Sequence, residues 1–326
     1  MVTTHTIGID IGGTSIRAAV VDARGEILDK VRAQTPPTAP ALEKCLDRLV
    51  AELRSRWPVE AVGLAVAGFL TPDRSMIRFS PHLPWREVAV GAEMSARIGL
   101  PVSLEHDANA AAVAERRFGA AGGGHNTLVL AIGTGIGAGL LLEGRLYRGS
   151  HGVAPELGHL CVVPGGRVCS CGKFGCWERY CSGTALVDSV VELVADGAYR
   201  SSLLARETAE DPGSLTGRRV SAAAADGDPV GVAAVAEFAR WLGQGLAMIG
   251  DIFDPDLIVL AGGVGASSGL FLDEAREHYG AMLTGSGHRR LARIRGTQLG
   301  EAAGMIGAAD IARSDLRRVP APTAGG

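Results

Sequence analysis

Neither sign of charge dominates this sequence: 32 lysines and arginines stand against 35 aspartates and glutamates, a formal net charge of -3 over 326 residues. A phosphate-backbone ligand needs a basic footprint, so no nucleic acid is expected as a partner. Long apolar runs are also missing. The uncharged stretch Asn126–Leu142 is interrupted by Gly133, Gly135, Gly137 and Gly139, which suits strands and turns, so no membrane association is expected. The opening MVTTHTIGIDIGGT lacks the basic and apolar regions of a secretory signal, and a cytoplasmic location is expected. Cysteines number six, and without such a signal they suit a reducing compartment better than a disulfide framework. Neither GxxxxGK[ST] nor a helix-opening GxGxxG is present, which disfavours a Walker loop and a dinucleotide-binding Rossmann site.

What is present is a globular composition, 47% apolar and 21% charged, at a length that suits two lobes. The run TIGIDIGGT passes through a Gly-rich turn into RAAVVDARGEIL, which reads as a hairpin followed by a third strand. Leu42, Leu46, Leu49, Val50 and Leu53 lie on one helical stripe, and AVGLAVAG reads as a buried strand. A helix over Val88–Ile98, the strand VSLEHD and the helix ANAAAVAERRFG continue the alternation. After Gly122–Asn126, the segment NTLVLAIGTGIGAGLLLEG restarts the opening plan. Helices are expected near Thr184–Ala195 and Pro229–Gly250, then the strand DLIVLAGGVG, a strand near Ala292–Thr297 and a helix over Glu301–Arg313. The fold class is therefore α/β. Residues 1–120, completed by the helix at 301–313, are expected to form a small lobe, residues 121–300 a large one, and residues 314–326 a disordered tail.

Three kinds of feature could carry chemistry. Gly-rich turns follow apolar strands at Gly12-Gly13-Thr14, at Gly133-Thr134-Gly135 and at Gly262-Gly263. Bare backbone N–H groups can approach a phosphate there, although a turn that merely needs positive φ would also use glycine. Asp107, in EHDAN, stands where a strand gives way to a helix; it is either a base for a substrate hydroxyl or an N-cap. Arg17 is either a phosphate-side charge or a solvated strand residue. Cys169, Cys171 and Cys176, in a C-x-C-G-x-x-G-C run with His159 upstream, form a tetrahedral donor set for a structural Zn2+, with a disulfide as the rival. The loop they would hold runs from Glu156 to Glu178.

Together, DIGGT, EHDANAA, IGTGIGAG, PELGH, CSCGKFGCWE and LAGGVG, in this order from about Thr6 to Arg313, resemble the ROK family. That family includes bacterial glucokinases, kinases for other hexoses and amino sugars, and transcriptional repressors, and the chain is most similar to its actinobacterial glucokinases. The resemblance implies an actin-like, ribonuclease-H-type pair of lobes with a central cleft, and a homodimer or homotetramer. It implies ATP and Mg2+ near Asp10, with Gly12, Gly13, Thr14, Gly133, Thr134 and Gly135 at the phosphates, Arg17 on the nucleotide side and Gly262 and Gly263 flanking adenosine. Asp107 becomes the general base. Gly68, His82, His106, Glu156, His159 and Glu178 would bind the sugar. His82 and His106 stand where many family members carry Asn, which alters the hydrogen bonding expected around the sugar's 3- and 4-positions.

The expected activity is ATP-dependent phosphorylation of a hexose 6-hydroxyl, glucose to glucose 6-phosphate. An amino-sugar kinase, for example for 3-amino-3-deoxyglucose (kanosamine), and a non-catalytic sugar sensor are the alternatives. A repressor of this family would need a helix-turn-helix ahead of DIGGT, where about nine residues stand.

Overall fold

The apolar opening of the chain builds a meander. In the computed structural model, which describes residues 5–195, 197, 199 and 201–317, β1 (Thr6–Ile11), β2 (Ser15–Val21) and β3 (Ile27–Gln34) pair antiparallel. α1 (Ala39–Arg54) buries Leu42, Cys45, Leu46, Leu49, Val50 and Leu53, the i, i+3, i+4 stripe that its sequence carries. β4 (Ala61–Val66) follows, buried at every position. A central parallel strand covered on both faces has that pattern. A small sheet of β5 (Phe69–Leu70), β6 (Ile77–Phe79) and β7 (Arg86–Val88) comes next, then α2 (Val90–Ile98), β8 (Val102–His106) and α3 (Asp107–Phe118). The main sheet has the order β3-β2-β1-β4-β8, with β4 parallel to β1 and to β8.

The plan then repeats. β9 (Thr127–Ile132), β10 (Ile136–Leu142) and β11 (Arg145–Tyr147) precede α4 (Gly183–Val194), α5 (Leu203–Glu210), α6 (Gly217–Ala225) and α7 (Pro229–Phe253). β12 (Leu257–Ala261), α8 (Leu272–Met282), β13 (Arg293–Gly296) and α9 (Ala303–Leu316) complete the chain. The second sheet runs β11-β10-β9-β12-β13, so each sheet orders its own strands third, second, first, fourth, fifth. Side-chain caps start α4 and α7: Ser182 accepts from the Ala185 N–H, and Asp228 accepts from the N–H groups of Val230 and Gly231. Among the described residues no helix is long and apolar enough to cross a membrane.

Two compact units result, one of residues up to 123, 139–155 and from 298 on, the other of residues 124–138 and 156–297. Segment 139–155, expected with the second lobe, belongs to the first unit. Gly139 lies so close to α3 that a Cβ would stand 2.6 Å from the Ala108 carbonyl oxygen, and one on Gly152 would stand 2.9 Å from that of Leu70. α9 also differs from expectation. It runs past Arg313 to Leu316, with Ile311, Ala312 and Arg313 still buried and Asp315 paired to Arg74 at 3.1 Å. Of the expected tail, residues 318–326 lie outside the described residues.

In the first unit, α9 packs on β1, β4 and α3 with almost no side-chain spacer. A Cβ on Gly8 or Gly63 would fall 1.8 or 1.9 Å from the carbonyl oxygens of Met305 and Ala308, and one on Gly307 would fall 1.8 Å from that of Ala110. Thr6 Oγ1 donates to the Ala309 carbonyl at 2.9 Å, and buried Arg313 donates to Thr6 Oγ1 and to the Val21 carbonyl, both at 2.7 Å. Backbone cannot move as a side chain can. We therefore expect Gly307→Ala to cost about 3 kcal/mol, the upper end for overpacking, measured by urea unfolding; an unchanged midpoint would contradict this packing.

Candidate functional site

In the first unit, β1 delivers Asp10 to a Gly-rich turn. Asp10 Oδ2 accepts from Arg17 Nη2 at 2.8 Å, and the other arm of Arg17 reaches Glu301 Oε2 at 2.8 Å. The arginine predicted on the nucleotide side is thus the counter-ion of Asp10. Burial pushes the Asp10 carboxyl above its ordinary pKa, Arg17 opposes that, and the nearby Asp107 carboxylate adds to it. At the start of α9, Gly304 leaves room for Asp10: a Cβ there would lie 3.1 Å from Asp10 Cγ. The turn is tied by Gly12 N–H to the Ser15 carbonyl at 3.1 Å and by Thr35 Oγ1 to the Gly12 carbonyl at 2.6 Å. A Cβ on Gly13 would stand 3.0 Å from His82 Cβ, so the turn and His82, itself exposed, meet. Gly68 is bare for a backbone reason, since a Cβ would fall 2.8 Å from the Phe79 carbonyl oxygen.

Asp107 opens α3 as its first residue. Its Oδ1 accepts the N–H of the adjacent Ala108 at 2.7 Å, whereas a capping side chain accepts from two or three residues on. The N-cap position belongs to His106, whose side chain makes no cap bond. Asp107 is therefore not consumed by capping. His106 Nδ1 lies 3.3 Å from Asp107 Oδ1, and the Asp107 side chain is 41% exposed.

In the second unit, the turn between β9 and β10 is held from outside. Gly183 N–H donates to the Gly133 carbonyl at 2.7 Å, Thr184 Oγ1 to the Thr134 carbonyl at 2.9 Å, and the Ile136 N–H to Glu178 Oε2 at 3.2 Å. A Cβ on Gly135 would strike that same Glu178 oxygen at 2.4 Å. Gly262, after β12, has φ +85° and lies against the Ile132 carbonyl, which explains its glycine structurally. Gly133 and Gly263 differ: neither has positive φ, and nothing stands within 4 Å of where a Cβ would be. Packing and positive φ leave those two bare positions unexplained, as they do Gly269 and Gly296.

His159, Cys169, Cys171 and Cys176 converge as the sequence spacing predicts, their ligand atoms all within 4.8 Å of one another. Gly175 makes the return possible, with φ +74° and no room for a Cβ beside the Val163 carbonyl. Cys171 and Cys176 sulfurs are 3.6 Å apart, as are Cys169 Sγ and His159 Nδ1. A tetrahedral ion with sulfur at about 2.3 Å needs ligand atoms roughly 3.8 Å apart, so the set fits a metal. His159 turns Nδ1 to the sulfurs and leaves Nε2 3.9 Å from Glu156 Oε2. Glu178 Oε1 is 3.3 Å from Cys169 Sγ and 3.6 Å from His159 Nδ1.

Burial raises the Cys169 thiol, and burial together with the neighbouring Cys171 and Cys169 pushes Cys176 up to about 12. Burial opposes ionisation of Cys171 too, but hydrogen bonds from the Lys173 N–H and the other two cysteines hold it below the ordinary thiol value. Three sulfurs and a carboxylate this close cannot all be anionic without a cation. In metal-stripped protein Cys171 should alkylate before Cys169 and Cys176, and at lower pH than an ordinary thiol, since a lowered pKa fills the thiolate earlier. A divalent metal should protect all three. Equal rates in stripped protein, or no protection by metal, would contradict the arrangement.

The Gly-rich turns, Asp107 and the Cys/His cluster stand out in the sequence, whereas other residues around them do not. Glu105 was visible only as a letter of EHDAN, Arg148 and Arg74 carried no signal, and the Ser182-Gly183-Thr184 helix start was readable as a cap but not as a support for the Gly133 turn.

A family model described as the ROK family matches residues 6–315. The chain is 41% identical over 308 residues to the glucokinase of Streptomyces coelicolor, covering 94% of this chain and 97% of that one. It is also similar to the crystal structure of a ROK family glucokinase from Streptomyces griseus in complex with glucose and AMPPNP, with TM-score 0.84, 41% identity and coverage of 95% and 99%. A ROK hexokinase from Thermus thermophilus matches with TM-score 0.77, 34% identity and coverage of 96% and 99%. These neighbours are sugar kinases of the actin-like two-lobed α/β fold. With matching motifs, repeated sheet topology and near full-length similarity, the chain belongs to the ROK family.

Proposed function

We propose that the protein is an ATP-dependent hexose kinase that phosphorylates the 6-hydroxyl of glucose. The observation that carries this is the uncapped, partly exposed carboxylate of Asp107 near half-buried Asp10, in a chain similar over almost its whole length to glucokinases. As the sugar oxygen attacks the γ-phosphorus, Asp107 accepts the hydroxyl proton; the new P–O bond forms while the β–γ bridging bond breaks and ADP leaves. Glu156, Glu178 and His159 accept or donate to sugar hydroxyls, with Gly68, His82 and His106 on the sugar side as well. Buried or half-buried carboxylates make such a readout selective, because a sugar without the hydroxyl leaves them unpaired.

The bare backbone at Gly12-Gly13-Thr14 and Gly133-Thr134-Gly135 receives the phosphates, Gly262 and Gly263 flank the adenosine, and Arg17 serves the nucleotide through Asp10. Asp10 is the residue to hold magnesium, a cation that neutralises charge on the transferring phosphate and favours the ionised form that burial disfavours. Zinc is the ion that suits His159, Cys169, Cys171 and Cys176. Four protein ligands leave it no open position, so its part is to hold the loop between Glu156 and Glu178.

The test is ADP release by purified protein with magnesium and ATP, offered glucose, 3-amino-3-deoxyglucose, glucosamine, mannose, N-acetylglucosamine or no sugar. Glucose should give the highest kcat/KM. Preference for the 3-amino sugar would instead make His82 and His106 the determinants of an amino-sugar site, and no response to any sugar would leave a sensor. Gly133→Ala, at an open position, should leave stability unlowered while raising the KM for ATP about tenfold or more, as a methyl group intrudes on the phosphates; an unchanged KM would remove Gly133 from the nucleotide site.

A further inference from the structure

Two residues before Asp107, a carboxylate is buried that none of the roles above uses. Glu105, on β8, is 2% exposed. Its Oε1 accepts the His106 N–H at 3.1 Å and Asn109 Nδ2 at 3.1 Å, so one oxygen bonds the chain on both sides of Asp107, on the strand and in the first turn of α3. Arg148, just after β11, grips the same carboxylate with Nε at 3.3 Å from Oε1 and 3.0 Å from Oε2, and with Nη2 at 2.5 Å from Oε2. Arg74 Nη1 lies 3.7 Å from Oε2 and donates to the Leu104 carbonyl at 3.3 Å, while Nη2 reaches both Asp315 oxygens at 3.2 and 3.1 Å. Two arginines and two acids thus close a neutral network across β8, α3, α9 and the segments carrying Arg74 and Arg148.

We propose that Glu105, oriented by the guanidinium of Arg148, is a positioning residue that fixes the β8–α3 junction and with it the aim of the Asp107 carboxylate. The proposal rests on the kinase assignment of Asp107. Buried ion pairs are weak sources of net stability, because desolvation offsets much of their attraction. What a forked guanidinium on a fixed carboxylate does supply is direction. Here the fixed carboxylate is bonded to both flanks of the one residue that must meet a hydroxyl at hydrogen-bond distance, and a misplacement of about 1 Å there can cost on the order of 100-fold in rate.

The experiment compares wild type with Glu105→Gln, Arg148→Met and Arg148→Lys. Glucose-binding sites are counted by calorimetry, so that kcat is expressed per competent site and loss of folded protein does not register as loss of catalysis. Glu105→Gln keeps an acceptor for His106 and Asn109 but loses the charge that orients the arginine; Arg148→Met removes the fork; Arg148→Lys keeps charge without the fork. For the first two, kcat per site should fall about 10- to 100-fold while glucose affinity stays within about threefold, and Arg148→Lys should fall between them and wild type. Unchanged kcat per site with only a lower melting temperature would overturn the proposal and leave a structural ion network. Should Glu105→Gln and Arg148→Met fail to fold, Arg148→Lys decides alone: reduced kcat at unchanged glucose affinity supports positioning, and unchanged kcat overturns it. A wild type without sugar-dependent turnover would overturn the kinase assignment and this inference with it, whereas an active wild type with fully active variants overturns only the inference.

Discussion

A carboxylate taken out of water needs a cation or hydrogen-bond donors, as Glu115 has in the N–H groups of Ala120 and Leu299, and that requirement organises the first unit. Glu105 has Arg148 and Arg74, Asp10 has Arg17, and Asp310 has Arg313 and Arg117. Asp107 stands apart. Among the described residues it has no lysine or arginine partner, only the imidazole of His106 at 3.3 Å and the N–H of its neighbour. An arginine on Asp107 would lower its basicity and block its approach to a hydroxyl. The neighbouring acids are neutralised, and the one proposed to accept a proton is left open.

The second unit meets the same constraint with sulfur. Cys169, Cys171 and Cys176 bring potential thiolates within 4.8 Å of one another, with Glu178 3.3 Å from Cys169, and the Lys173 ammonium, which donates to the His159 carbonyl at 2.7 Å, favours the Cys171 thiolate. A divalent ion held by His159 and the three cysteines would resolve the conflict, with His159 facing the sulfurs through Nδ1 and Glu156 through Nε2. Glu178 in turn accepts from Ile136 at the Gly133 turn. One cluster thereby joins the loop that carries Glu156 and Glu178 to the Gly133 turn, the proposed sugar and phosphate sides.

Local patterns were legible in the sequence, and long-range pairings were not. The strand, Gly-rich turn, strand arrangement occurs twice, and both copies fold into sheets of one topology. The C-x-C-G-x-x-G-C spacing with His159 likewise predicts the observed cluster, because glycine geometry and ligand reach act over short separations. Hidden were the strands β5, β6 and β7, whose two or three residues give no periodicity, and the helices α5, α6 and α8. Hidden too was the grouping of 139–155 with the first unit, which depends on Gly139 meeting α3 and on Arg148 meeting Glu105. Sequence could not separate the meanings of glycine either. Gly262 needs its backbone conformation and Gly68 its clearance from Phe79, whereas Gly133 and Gly263 have open space beside them. Asp107 was open to two readings, and only the geometry of its Ala108 contact distinguishes a first-turn carboxylate from a cap.

The central claim is that Asp107 is the base, and replacing it by Asn tests this most directly, since the amide keeps size and one acceptor for the Ala108 N–H while it removes the proton acceptor. Turnover with saturating glucose and ATP should fall on the order of 100- to 10,000-fold, with glucose binding by calorimetry and the urea midpoint close to wild type. Near-normal turnover in Asp107→Asn, at intact glucose binding, would contradict the account and return Asp107 to a structural role at the start of α3.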